Sequence, residues 1–247
     1  MKDLFSKQAG IYAKYRPGYP DDLIDFILAL VKEREFAWDV ATGNGQAAKL
    51  LAPYFLKVFA TDISAKQISQ SAHESGIEYL VAPAEKTDFP DNQYVIISVP
   101  LAYICFTFDF FKKYATRVSK PGGIIAVWGY CLIKTDNKEL MQFIHQFYTE
   151  VVGKYWDPER KYVDEAYRSI PFPYEELPSK QFSIMVYWSK EDLIGYLNTW
   201  SSVQHYIEAN QKNPVDEFAI KLESIWDGNG EKQFTFPLFL RIGRIQK

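Results

Sequence analysis

The sequence predicts an α/β protein in which helices cover both faces of a mostly parallel sheet. Three observations lead there. Strand-like runs alternate with helix-period segments through the first half of the chain, the central runs are continuously apolar, and a glycine-bearing turn follows the first of them. With 247 residues, 47% of them apolar, the chain can bury one large core, or a core plus a small lobe.

The elements follow in order. Tyr12-Ala13-Lys14-Tyr15-Arg16-Pro17-Gly18-Tyr19-Pro20 is aromatic and proline-rich, and its prolines stop a short helix before another begins at Asp21-Asp22. Leu23, Ile24, Phe26, Ile27, Leu30 and Val31 mark the apolar face of that second helix. Strands are expected over 36–42, 57–61 and 77–81, with helices over 46–54 and 64–74 between them. Tyr94 to Val99 and Ile124 to Trp128 are apolar and β-branched, as central strands require. A helix over 110–119 lies between them and closes in Lys120-Pro121-Gly122-Gly123, read as a tight helix-to-strand turn. After Tyr130 the rhythm changes: a helix over 137–152, an irregular proline- and tyrosine-rich stretch over 156–178, a strand over 181–188, and helices over 191–199 and 215–225. The turn Asp227-Gly228-Asn229-Gly230 leads to a final strand whose Pro237 calls for a bulge or an edge position.

Composition excludes several classes. The net charge is −3, without a lysine or arginine cluster beyond short pairs such as Lys112-Lys113, so nucleic acid is not an expected partner. The residues around Lys2, Asp3 and Lys7 carry no secretory-type apolar run, and the longest apolar stretch, 95–106, is broken by Ser98 and Pro100. No membrane partner and a cytoplasmic location are therefore expected. Cys105 and Cys131 lie in apolar surroundings that suit buried, reduced thiols, and His73, His145 and His205 show no metal-ligand spacing, so no metal is expected. Aromatics are 17% of the residues, most of them accounted for by core packing, with a remainder free to line a pocket.

The chemistry concentrates in Trp38-Asp39-Val40-Ala41-Thr42-Gly43-Asn44-Gly45. Two glycines one residue apart let a strand turn into a helix with bare backbone facing a nucleotide-like ligand, or simply make a tight turn. Asp39 sits inside a strand, where a carboxylate needs a partner, and a cationic ligand group would serve. Asp62 ends the second strand, where an acid can accept from both ribose hydroxyls; alternatively Asp62 or Ser64 caps the next helix. Ala84-Glu85 reads either as a loop flanking an adenine or as a solvated turn.

Together, the strand acid, the small-residue loop, the acid ending the second strand, Ala-Glu after the third and Pro-Gly-Gly before the fifth resemble the class I S-adenosylmethionine-dependent methyltransferases. The N-terminal segment (Phe5, Ala9, Tyr12, Tyr15, Arg16, Pro17, Tyr19, Pro20) and Trp128-Gly129-Tyr130 look like the small-molecule branch that includes trans-aconitate methyltransferases. The resemblance implies a Rossmann-like, seven-stranded, mostly parallel sheet. Residues 1–134 would form the N-terminal segment and the cofactor-binding half, 135–179 a small helical and irregular cap insertion, and 180–247 the completion of the sheet. It implies S-adenosyl-L-methionine as cofactor, with Asp39, Gly43, Asn44 and Gly45 holding its methionine part, Asp62 the ribose, Ala84 and Glu85 near the adenine, Val99 beneath the sulfonium, and Ala41 and Ile63 also among the residues that bind it. Tyr12 and Arg16 would close over it. Tyr19, Trp128 and Tyr130 would face the sulfonium or wall a small-molecule acceptor. The protein would be a monomer or weak homodimer.

Two departures stand out. Ala41 replaces the first small position of the loop, and Ile104-Cys105 stands where relatives of this branch often carry a His-Trp pair. An acceptor carboxylate needs no base and fits the missing histidine, so O-methylation is the favoured reaction. Two other readings stay open: an NAD(P)-dependent oxidoreductase, because Gly43-Asn44-Gly45-Gln46-Ala47-Ala48 also meets the relaxed dinucleotide fingerprint, and a catalytically silent S-adenosylmethionine-binding protein.

Overall fold

A computed structural model describes residues 9–71, 74–228 and 230–247. Lys2, Asp3, Phe5, Lys7, His73 and Asn229 lie outside the described residues, as does the side chain of Ala9. The chain begins with α1 (Ala9–Tyr15), α2 (Asp21–Leu30), β1 (Phe36–Val40), α3 (Gln46–Leu51), β2 (Lys57–Asp62), α4 (Ala65–Ile68), β3 (Ile77–Val81) and β4 (Tyr94–Pro100). It continues through α5 (Phe108–Val118), β5 (Ser119–Tyr130), α6 (Lys138–Gln146), α7 (Arg160–Asp164), β6 (Glu175–Glu176) and β7 (Phe182–Trp188). It closes with α8 (Lys190–Asn198), α9 (Ser201–Asn210), α10 (Pro214–Ile225) and β8 (Lys232–Arg244).

The strands form one sheet in the order β3-β2-β1-β4-β5-β8-β6, with β7 also paired to β8. The first five run parallel, and β8 enters antiparallel to β5. Glu176 pairs with Gly243 and Phe182 with Leu238, so β6 and β7 follow one another along the same side of β8, with Pro178 in the gap. Eight strands thus fill seven positions of a mostly parallel sheet. Strand order reverses between β1 and β4, and such a switch opens a crevice at the carboxyl ends of the strands.

Alternation divides the core between the two faces. On β5, Ile124, Ala126, Trp128 and Tyr130 join one cluster with residues of α2, α3, α8 and α10, while Ile125 and Val127 join the other with α5. Trp38 anchors the second face. It is fully buried among Phe89, Tyr94, Phe111 and Tyr114, and its indole N–H donates to Thr61 Oγ1 at 2.9 Å. Among the described residues no helix is long and apolar enough to cross a membrane.

Five details differ from the sequence reading. Among the described residues, the helix expected over 64–74 is only α4, because Ser69 Oγ bonds Lys66 O and the next amides, to Ser71, close shorter i−3 turns. The expected turn at Lys120–Gly123 is instead an irregularity inside β5, whose register with β4 jumps between Ser119 and Ile124. The sequence pattern does not predict α9, since its SSVQHYIEAN sequence carries a weak apolar stripe. Pro237 sits in an interior strand without a bulge. Its carbonyl accepts from the Cys131 N–H at 2.9 Å, so its nitrogen faces the stretch just past β5 and the ladder with β7 loses no bond. Cys105 and Cys131 form no disulfide with each other, and both are only half-buried.

Gly45, the N-cap of α3, is left-handed at φ 84°, and a Cβ there would lie 2.3 Å from Tyr79 Oη and 2.9 Å from the ring. This glycine therefore makes room for Tyr79. Gly45→Ala is expected to lower the unfolding free energy by about 1–3 kcal/mol, read by urea denaturation, with less added loss when Tyr79→Ala is also present. An unchanged midpoint would contradict this packing role.

Candidate active site

The loop after β1 bends through left-handed residues, Ala41 at φ 53° and Gly43 at φ 58°. An L-residue in this region costs about 1–2 kcal/mol, so the alanine at the first small position carries strain. Leu101, at φ 59° beyond β4, is strained in the same way. Asp39 holds the loop from below. It is fully buried, opposite Ser98 in the β1–β4 register, and accepts from Ser98 Oγ at 2.6 Å and Thr42 Oγ1 at 2.5 Å. The Thr42 amide in turn donates to Thr61 O at 2.9 Å. Beside it, Asp62 Oδ2 accepts from the Gly43 amide at 3.0 Å and Oδ1 from the Ser64 amide at 2.8 Å. Ser64 caps α4, its Oγ accepting from Gln67 N at 3.1 Å.

Above these strand ends lies a cleft of about 1180 Å³, counting its open mouth. The β1 loop and the residues after β2 form one part of its wall (Ala41, Thr42, Gly43, Asn44, Gln46, Ala47, Asp62, Ile63, Ser64, Gln67). Pro100, Leu101, Ala102, Cys105 and Tyr130, at and beyond the ends of β4 and β5, form another, and Tyr12, Arg16, Tyr19, Trp156, Arg160, Val163 and Ser201 complete it. The N-terminal part is docked by a size match: the Tyr15 ring occupies the space over Gly195 of α8, where a Cβ would lie 2.4 Å from it. Arg16 then donates from Nε to Thr199 Oγ1 at 2.8 Å, from Nη1 to the Tyr130 hydroxyl at 2.9 Å, and from Nη2 to Thr199 O at 3.2 Å. Its guanidinium also lies 4.9 Å from the Tyr12 ring centre and 5.2 Å from that of Tyr196. Burial pushes the Tyr12 and Tyr19 phenols well above their ordinary pKa, against the pull of the Arg16 charge on Tyr12.

Residues 38–127 match the family model described as "Methyltransferase domain". A "putative methyltransferase" of Dictyostelium discoideum is 32% identical over 249 residues, spanning 98% of this chain and 95% of that protein. The chain belongs to the class I S-adenosylmethionine-dependent methyltransferases. A solved structure described as a "putative type II methyltransferase" from Anaeromyxobacter dehalogenans shares 32% identity and superposes with a TM-score of 0.85, covering 94% of this chain and 99% of that one. A "putative methyltransferase" from Bacillus halodurans, 21% identical with a TM-score of 0.52 over 92% of this chain and all (100%) of that one, shares the fold. These matches set aside the oxidoreductase reading.

In this methyltransferase the cleft gathers Tyr12, Arg16, Tyr19, Ala41, Gly43, Asn44, Asp62, Ile63 and Tyr130 from the sequence-derived set. It does not gather all of them at its wall. Asp39 lies one layer below, bonded to Thr42 and Ser98 rather than exposed to a ligand cation. Gly45 is covered by Tyr79. Val99 and Ala84 are buried, and Glu85 accepts from the Thr107 amide at 3.4 Å. Trp128 is fully buried behind Tyr19, whose ring meets it edge-on at 5.5 Å. The sequence reading left out other wall residues, among them Gln67, Trp156, Arg160 and Ser201. The last three come from segments far from the glycine loop, and only folding brings them to it.

Burial raises the Asp39 carboxyl to about 6, with the Asp62 charge adding to the effect and the Ser98 and Thr42 bonds opposing it. The folded protein keeps this proton to higher pH than an unfolded chain, whose aspartate titrates near 3.8. Stability from this group is therefore full below pH 3.8 and lost as pH rises through about 6. The loss amounts to about 3 kcal/mol at 1.36 kcal/mol per pH unit. Asp39→Asn is expected to flatten that slope in denaturation curves taken across the window, and an unaltered slope would refute the assignment.

Proposed function

We propose that this methyltransferase binds S-adenosylmethionine in the cleft at the carboxyl ends of β1, β2 and β4, and methylates an oxygen of a small organic acceptor, a carboxylate being favoured. The observation that carries the cofactor reading is Asp62, whose oxygens are aimed by the Gly43 and Ser64 amides beside an open stretch of loop. A Cβ on Gly43 would meet nothing closer than Gln67 Oε1 at 3.9 Å, so the backbone there is bare enough for a ligand to approach. These residues fit the group: Asp62 for the ribose hydroxyls, Ile63 for the base, and residues 41–44 for the methionine part. Ala84 and Glu85 would act near the adenine, Val99 as buried support, and Gly45 and Asp39 by shaping the loop. Tyr12 would cover the cofactor, held in place by Arg16.

The bound cofactor supplies a methyl group already activated for attack by its sulfonium. The protein then needs chiefly to align an acceptor oxygen, and such positioning supplies about 7–11 kcal/mol of barrier lowering. Tyr19 and Tyr130 would wall the acceptor, with Trp128 backing Tyr19. The carboxylate preference rests on the absence of a tuned base among the described wall residues: none is a histidine, Cys105 stands where the trans-aconitate branch often carries one of a His-Trp pair, and Tyr12 and Tyr19 are held protonated by burial. An acceptor that is already ionised needs no proton removed. The segment 135–179, which contributes Trp156, Arg160 and Val163, would act as the cap over it.

Two outcomes test this reading. Asp62→Ala should weaken S-adenosylmethionine binding by roughly tenfold to two-hundredfold, the loss of one charge-assisted bond of about 1.5–3 kcal/mol; calorimetry at the wild-type affinity would end the ribose assignment. With a small carboxylic acid as acceptor, kcat/KM for S-adenosylhomocysteine formation should stay flat above about pH 6, because carboxylates ionise near 4. Turnover only of phenols or amines, climbing with pH, would replace the carboxylate by a proton-bearing nucleophile.

A further inference from the structure

Arg160 opens α7 and lines the cleft, yet the cofactor reading gives it no task. Its Nε donates to the Tyr148 hydroxyl at 2.9 Å and to Asp164 Oδ1 at 3.2 Å. The guanidinium lies 4.7 Å from the Trp156 ring centre and 5.4 Å from that of Tyr148. Tyr148 also donates to the Asp164 carboxylate at 2.8 Å, so one edge and the ring-facing side of the head group are both held. The contrast with Arg16 is chemical. Each nitrogen of Arg16 already donates to the protein, whereas Nη1 and Nη2 of Arg160 make no hydrogen bond among the described residues. A guanidinium fixed at Nε with its Nη edge open presents the planar fork that matches a carboxylate or phosphate in bidentate fashion. Asp164 is its one carboxylate partner among the described residues, and at 42% exposure it is more solvated than the Arg160 side chain at 22%. Positive charge on the open edge is therefore incompletely compensated.

We infer that Arg160 is a specificity-determining residue that docks an anionic group of the acceptor, a carboxylate or a phosphate, inside the cleft. The inference rests on the cleft being the acceptor site proposed above. It assigns the Nη edge to substrate, the Nε edge to Tyr148 and Asp164, and the flat face to Trp156. An uncharged acceptor of equal shape would leave the fork unbonded and lose the charge-assisted pair.

The test is calorimetric titration of the S-adenosylhomocysteine-saturated protein with benzoate, phenyl phosphate and uncharged benzamide. At least one anion should bind about tenfold or more tightly than benzamide, as one charge-assisted pair predicts, and the tighter anion tells carboxylate from phosphate docking. Arg160→Met, which keeps an apolar stem against Trp156, should abolish that preference while leaving S-adenosylhomocysteine affinity within about twofold. Arg160→Lys, which keeps the charge but not the fork, should lose most of it and serves if the methionine variant does not fold. Asp164→Asn should strengthen anion binding a few-fold by removing the competing charge, a gain that a purely structural role for Arg160 would not produce. Equal binding of the anions and benzamide, no binding of any probe, or an anion preference that survives Arg160→Met overturns the inference. Failure of S-adenosylhomocysteine to bind the wild type would count against the cofactor reading instead, and the same titrations without it would then decide the role of Arg160.

Discussion

A buried carboxylate at the switch point of the sheet organises this molecule. Asp39 joins β1 to β4 through Ser98 and reaches forward to Thr42, the residue that ties the loop to β2. From there the bonds run on: the Gly43 amide to Asp62, Asp62 to the Ser64 amide, Ser64 Oγ to Gln67 N. A continuous polar chain thus crosses three strand ends, and each link sets the angle of the next. Burying an acid is unfavourable, as the raised pKa of Asp39 records, and two hydroxyl donors offset only part of that. The arrangement places the unfavourable energy directly beneath the site, together with the strained backbones of Ala41 and Leu101.

The other half of the cleft is built on size matching. Gly195 leaves the space that the Tyr15 ring fills, α1 settles on α8, and Arg16 is brought to Tyr130 and the end of α8. One guanidinium therefore clamps the N-terminal segment to the end of β5 and to the helical region after β7. The aromatic side chains around it do double duty, packing against each other and enclosing the cation, which is weakly hydrated and suited to such surroundings. The same pairing of arginine with rings recurs at Arg160, Tyr148 and Trp156, with the difference that there the terminal nitrogens stay open.

Much of this was legible in the sequence. Glycine spacing, acids at two strand ends and continuous apolar runs are local signals, and each reflects a backbone or burial requirement that does not depend on the rest of the chain. They led to the alternation of elements, the cleft at the carboxyl ends, and the positions of Asp62, Gly43, Tyr12 and Arg16 on its wall. Local signals misled where a second segment shared the role. Gly45 looked like bare backbone for a ligand, but Tyr79 from β3 covers it. Asp39 looked like a partner for a ligand cation, but Ser98 from β4 reaches it first. Pro237 looked like a strand edge, but β5 ends just where its missing N–H would have been needed.

What the sequence by itself determined is the class of fold, the parallel half of the sheet and the glycine-and-acid loop, because strand burial, helix period and glycine conformation are written in neighbouring residues. Tertiary structure alone decided which side chains meet in the cleft: Arg160 and Trp156 from an irregular stretch, Ser201 from a helix with little apolar pattern, and Cys105 beyond β4. Contacts between residues so far apart in the chain depend on strand order and on the docking of α1 against α8, and neither is encoded in any single window of sequence.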